Sequence, residues 1–147
     1  LPTTSHIALG EVTGATPDGR RAGDWLSEGV SPVQGHDRKG PTAATRSVAK
    51  LDHARTNGTL LNVKINPQTV RTDRDLHKLA ALIRGYFSQG GHHMQFNIVD
   101  RDLLLEAMDR PERHRDLLIR VAGYSDYFTL LSRDIQMEIL SRAEHGV

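Results

Sequence analysis

Cysteine is absent from all 147 residues, so this chain cannot by itself build a disulfide, a thiolate metal site or a cysteine nucleophile. Aromatic residues are scarce, at 5% with a single tryptophan, which is low for a platform that stacks nucleic-acid bases. Neither sign of charge prevails, because 19 Lys and Arg oppose 18 Asp and Glu for a formal net charge of +1. No broad field steers the chain to nucleic acid or to an anionic membrane, and neither is expected as a partner. No apolar run reaches membrane-spanning length, and Leu1-Pro2-Thr3-Thr4-Ser5 has neither the basic start nor the apolar centre of a signal peptide. A cytoplasmic location is expected. An initiating Met is also missing, and patterned sequence begins almost at once, which reads as a segment of something longer.

What is present is an ordinary globular composition, 37% hydrophobic and 25% charged, at the size of one core. Turn signals crowd the first 58 residues. Pro17 and Gly19 suit a type I turn, and Ser31-Pro32, Gly35, Gly40-Pro41 and Asn57-Gly58 break up regular structure, leaving only Thr45 to Ala54 for a short helix. The Gly14 to Gly19 spacing resembles a phosphate loop, but Arg20 and Arg21 follow where Lys and Ser or Thr are needed. From Thr59, Leu61, Val63 and Ile65 alternate with Leu60, Asn62 and Lys64, a strand that stops at Asn66-Pro67. Leu76, Leu79, Ala80, Ile83, Tyr86 and Phe87 recur at helical spacing between a Thr72 or Asp73 cap and a Gly90-Gly91 stop. A second strand follows, with Met94, Phe96 and Ile98 on one face and His93, Gln95 and Asn97 on the other. Strand, helix and strand make a parallel crossover. Three helices are then expected: one after the Asp100 cap, one from Pro111 carrying Leu117, Leu118 and Val121 inward and ending at Gly123, and one capped by Ser132 with Ile135, Ile139, Leu140 and Ala143 on one face.

Several residues invite chemistry. Eight histidines raise a metal reading, yet the adjacent His92 and His93 point to opposite faces of a strand and no ligand spacing suggests a site, so no metal is expected. Ser125 beside Asp126 lacks the base, the oxyanion hole and the Gly-x-Ser-x-Gly elbow of a hydrolase. The polar face of His93, Gln95 and Asn97 either lines a pocket, packs against a companion chain, or is a wet half-exposed surface. Gly123, taken alone, is a helix terminator. Glycine has a second capacity: loss of a Cα hydrogen leaves an unhindered planar radical delocalised between its amide nitrogen and carbonyl.

The run Arg120-Val121-Ala122-Gly123-Tyr124-Ser125, followed by Tyr127-Phe128, Leu131-Ser132, Gln136, Glu138-Ile139 and Arg142-Ala143-Glu144-His145, resembles the C-terminal signature of glycyl radical enzymes. Ordered blocks extend the likeness over nearly the whole chain, among them Thr13 to Arg20, Glu28 to Pro32, Gly40 to Ala43, Ser47 to Lys50, Gly58 to Asn62 and His92-His93-x-Gln95-Phe96-Asn97. The resemblance implies an α/β fold, with residues 1–100 supplying the last part of a ten-stranded β/α barrel (closing strands near 59–65 and 93–99) and residues 101–147 forming the glycine radical domain. It makes Gly123 the radical site and Arg120, Val121, Ala122, Tyr124 and Ser125 the loop around it. It implies no bound cofactor: a radical S-adenosylmethionine activating enzyme abstracts the hydrogen, and the stored radical passes to a cysteine in the remaining barrel, which acts on a small-molecule substrate, often in a homodimer. With no cysteine, this chain is expected to be inactive alone. Ala122 and Ser125-Asp126 place it nearer the dehydratase, choline trimethylamine-lyase and arylacetate decarboxylase branches than pyruvate formate-lyase. Either Asn62 and Lys64 or Leu61 and Val63 border the pocket. The alternatives are an autonomous spare-part subunit that repairs an oxygen-cleaved enzyme, and a non-catalytic α/β binding module in which Gly123 only shapes the chain.

Overall fold

Backbone pairing between two short alternating runs organises the chain. The structure, a computed structural model, describes residues 5–56, 59–142 and 144–146. Strand β1 (Asn62–Ile65) and strand β2 (Gln95–Ile98) lie parallel, with Asn62 opposite Gln95, Val63 opposite Phe96, Lys64 opposite Asn97 and Ile65 opposite Ile98. Parallel neighbours need a long crossover, supplied here by a helix over Asp73–Ser88. We label it α3, after α1 (Ser5–Glu11) and α2 (Pro41–Val48). Its start is fixed by a capping box: Asp75 N–H donates to Thr72 Oγ1 at 3.2 Å, and Thr72 N–H donates to Asp75 Oδ2 at 3.2 Å. Its end is fixed by Gly90, whose positive φ of 95° lets the chain turn back, and by Gly91, where a Cβ would strike the Tyr86 ring.

The strand faces divide the labour. Leu61, Val63 and Ile65 pack with Val48 and Tyr86 in one apolar cluster, while Asn62 and Lys64 point the other way. From the expected stripe of α3 only Tyr86 is fully buried; Leu76 and Phe87 are about half exposed, at 51% and 45%. After β2, Asp100 caps α4 (Arg101–Asp109) by accepting Leu103 N–H at 2.7 Å. Leu104 and Ala107 of α4, Ile119, Val121 and Phe128, and Ile139 and Leu140 of α5 (Arg133–Ser141) form a second cluster with Val99. The chain then returns to the first sheet: β5 (Glu144–His145) pairs parallel with β1 on the side away from β2, giving the order β2-β1-β5.

Three expectations need correction. The segment before Gly123 is not a helix. Pro111–Arg113 makes a single 3-10 turn, and β3 (Leu118–Arg120) pairs antiparallel with β4 (Ser125–Tyr127). Exposed Leu118, buried Ile119 and buried Val121 follow a period of two, and Ile and Val favour strands. The short helix in the leading segment begins at Pro41 rather than Thr45, using proline at the first helical position, with a separate turn at His53–Arg55. Helix α1 was not expected; it buries His6, Ile7 and Gly10, and a Cβ on Gly10 would meet the Asp24 and Trp25 backbone at 2.5 and 2.8 Å. The turn at Pro17 is present, closed by Gly19 N–H to the Thr16 carbonyl at 3.1 Å. Asn57-Gly58 and Ala143 lie outside the described residues.

Candidate functional site: a pinned hairpin tip

Gly123 sits at the end of the β3–β4 hairpin. Arg120 faces Ser125, and Val121 N–H donates to the Tyr124 carbonyl at 2.9 Å, leaving Ala122 and Gly123 as a two-residue tip. Val121 and Ala122 are fully buried, whereas Gly123, Tyr124 and Ser125 are exposed. The chain is therefore gripped up to the glycine and then released.

The grip is made by side chains acting on consecutive carbonyls. In an antiparallel ladder alternate residues turn their amide groups away from the partner strand. At Arg120 these outward groups meet Asn97, which accepts Arg120 N–H at 2.9 Å and donates to its carbonyl at 2.6 Å. One carboxamide thus stands in for a third strand, and its demand on Arg120 N–H excludes the i→i−4 bond of a helix. The Val121 carbonyl accepts Arg142 Nη2 at 2.6 Å. The Ala122 carbonyl accepts Gln95 Nε2, which also donates to Asn62 Oδ1, while Gln95 Oε1 accepts Arg120 Nε at 2.9 Å. Arg120 Nη1 reaches Ser125 Oγ at 3.4 Å.

Arg142 is itself held. Its guanidinium donates to both oxygens of Glu138, at 2.7 to 3.2 Å, one helical turn earlier. Glu138 is completely buried and also accepts Gln34 Nε2 at 3.1 Å, with His6 Nε2 3.6 Å away. Burial alone would raise its carboxyl, but the neighbouring His6 imidazole and the Arg142 charge and hydrogen bonds prevail and hold its pKa at about 2. Glu28, buried nearby, is shifted the other way: burial raises it more than Arg142 lowers it. The two carboxylates, with Asn62, Lys64 and Arg142, line a cavity of about 30 Å³ behind the hairpin. Beside Arg120, burial and the guanidinium charge push His93 below the ordinary histidine range, favouring its neutral form.

The residues 120–125 named from sequence thus come together around one tip. Other candidates do not. His92 Nδ1 lies 3.2 Å from Thr59 Oγ1, and its ring stacks on His53 at 6.3 Å; among the described residues no group of three His, Asp or Glu is arranged to hold a metal ion. Asp126 accepts Tyr127 N–H, and Ser125 is bonded only by Arg120 among the described residues, so no nucleophile–base pair exists there. The part that Gln95, Asn97 and Arg142 play in holding the tip is not read from the sequence, although two signals point to it: polar residues at a period of two on β2, where Asn97 is buried, and Glu138 four residues before Arg142.

Residues 26–129, a stretch that includes Gly123, match the glycine radical family. The chain belongs to that family. It is 51% identical over 144 residues to the trans-4-hydroxy-L-proline dehydratase of Clostridioides difficile, covering 98% of this chain and 18% of the relative. The glycerol-bound B12-independent glycerol dehydratase from Clostridium butyricum superposes with a TM-score of 0.93 at 50% identity, covering 97% of this chain and 18% of that one. Formate acetyltransferase 1 of Escherichia coli (strain K12) is 39% identical over 150 residues, covering 97% of this chain and 20% of the relative. The chain therefore spans about a fifth of the length of these relatives, and it stands nearer the dehydratase branch of glycyl radical enzymes than the formate acetyltransferase branch, as the sequence implied. Its mixed α/β fold is that of the corresponding part of glycyl radical lyases.

Proposed function

We propose that Gly123 stores the radical in an anaerobic glycyl radical lyase of which this chain is the C-terminal part. Activation removes one hydrogen atom, proton and electron together, from Gly123 Cα; we assign that abstraction to a radical S-adenosylmethionine activating enzyme, whose carbon radical ends as a C–H bond. In turnover the Gly123 radical takes a hydrogen atom from a cysteine S–H outside this chain, leaving a thiyl that opens dehydration, C–N cleavage or decarboxylation of a small molecule. The observation that carries this reading is the exposed glycine at a tip whose two preceding residues are fully buried and bonded at their carbonyls. Arg120, Val121, Ala122, Tyr124 and Ser125 shape the loop.

The need for a larger barrel is supported by what the chain leaves open. Leu76, Phe87, Ile98 and Leu118 are each at least 45% exposed, and β2 and β5 have β1 as their only partner among the described residues, whereas parallel sheets are normally covered on both faces. The two apolar clusters support a division near residue 100 between a barrel portion and a glycine radical domain, with β5 crossing back. Asn62 and Lys64 share the hairpin side of β1, which favours that face as the one bordering the reaction space. No helix among the described residues is long and apolar enough to cross a membrane, and an oxygen-labile radical suits a reducing cytoplasm. A homodimer is part of the same proposal.

The test uses the full-length polypeptide that carries these residues, treated anaerobically with a family activase and S-adenosylmethionine. A paramagnetic doublet that collapses on α-deuteration of glycine, followed in air by backbone cleavage at Gly123, is the expected result. Gly123→Ala should fold with an unchanged circular dichroism spectrum, since Gly123 itself is exposed, and show neither signal nor cleavage. An identical signal in Gly123→Ala would move the radical elsewhere, and no signal under conditions that activate a known relative would return the hairpin to a structural role.

A further inference from the structure

Among the described residues, Gln95 is the one side chain whose hydrogen bond falls on the amide that a radical at Gly123 would share. A planar Cα radical conjugates forward with the Gly123 carbonyl and backward with the Gly123 nitrogen, whose lone pair belongs equally to the Ala122 carbonyl. That carbonyl oxygen accepts Gln95 Nε2. On this basis, and resting on the reading of Gly123 as the radical site, we infer that Gln95 is a positioning residue that fixes the plane of the Ala122–Gly123 amide and sets how much lone-pair density it lends to the radical.

The orientation of Gln95 is determined by its neighbours. A carboxamide can present either end, but Arg120 is a donor only, so its Nε contact at 2.9 Å requires the Gln95 oxygen on that side. The Gln95 amide nitrogen is thereby turned to Ala122 O and to Asn62 Oδ1, which uses both of its hydrogens. Register adds a further constraint, because Asn62 stands directly opposite Gln95 in the parallel pair. Arg142 and Asn97 fix the carbonyls one and two residues earlier, but neither lies on the conjugated unit. A hydrogen bond to the Ala122 oxygen draws the nitrogen lone pair toward the carbonyl and stiffens the amide against twisting. Its loss leaves more unpaired spin on the Gly123 nitrogen and a wider spread of amide planes.

Two variants separate this role from simple packing, in the full-length polypeptide activated as above. Gln95→Met keeps the length and loses every polar contact; Gln95→Glu keeps an acceptor for Arg120 and loses the donor to Ala122. With 15N-glycine, both should show a larger nitrogen hyperfine coupling and a broadened α-proton splitting. If Gln95→Met does not fold, Gln95→Glu alone carries the test with the same expectation. Wild-type couplings in Gln95→Glu would overturn the inference, because contact with Arg120 would then suffice. An unactivated wild type, by contrast, would remove the radical reading and this inference together, so the two failures are distinguishable.

Discussion

Replacing Arg142 by methionine removes the cation from a carboxylate that has no access to water. Glu138 is 0% exposed and Arg142 donates to both of its oxygens, as well as to the Val121 carbonyl. Breaking a buried pair by deleting one partner costs about 3–5 kcal/mol, mostly the penalty of the charge left behind. The stranded Val121 carbonyl adds about 1–3 kcal/mol in part, since some of that loss overlaps. The readout is native-state amide exchange in the full-length polypeptide, followed by mass spectrometry over peptides from β3 to α5, where the ratio of rates measures the change in opening free energy. At about 1.4 kcal/mol per decade, 3 kcal/mol gives a rate increase of about a hundredfold or more. The double variant Arg142→Met with Glu138→Met removes the unpaired charge and should recover most of that loss. Unchanged exchange in Arg142→Met, or a double variant as unstable as the sum of the two singles, would refute the view that this pair anchors the hairpin.

Two further outcomes follow from the same network. Glu138 has a folded pKa of about 2 against an ordinary value of 4.5, so its contribution is complete above pH 4.5 and is lost as pH falls toward 2; the shift corresponds to about 3 kcal/mol, and Glu138→Gln should flatten the acid limb of a stability-against-pH curve over that window. Asn97→Leu strands the Arg120 N–H and carbonyl and should cost about 2 kcal/mol or more, read as loss of exchange protection at the Arg120 amide itself.

The strand–helix–strand crossover was legible because each element carried its own period and its own stop: Leu61, Val63 and Ile65 at two, the α3 stripe at helical spacing, Thr72 and Gly90 at its ends. The hairpin was not, because Leu117, Leu118 and Val121 fit a helical stripe as well as a strand over so few residues, and the deciding interaction is long-range. Asn97, 23 positions away, occupies the Arg120 backbone groups that a helix would need for itself. The same residue explains why the polar face of β2 was ambiguous. Its partners are main-chain atoms, which carry no trace in the sequence of side chains. Helix α1 was obscured by the turn-rich composition around it, its seat depending on Gly10 fitting against the Asp24-Trp25 backbone. The residues around Gly123 are named as a site through resemblance, while local pattern reads the glycine as a helix terminator.

Strand β5 gives this architecture a property of a different kind. The chain leaves the three-stranded sheet at β2, runs out through α4, the hairpin and α5, and comes back to the same sheet on the opposite side of β1. A backbone severed at the hairpin tip is therefore not a tail free to diffuse away. Its distal piece remains sewn in at one end by the β1 pairing and along its length by α5 and the Glu138–Arg142 clasp. On the proposed reading of Gly123, oxygen would leave a nicked but assembled protein, and any replacement piece would first have to unpick that seam.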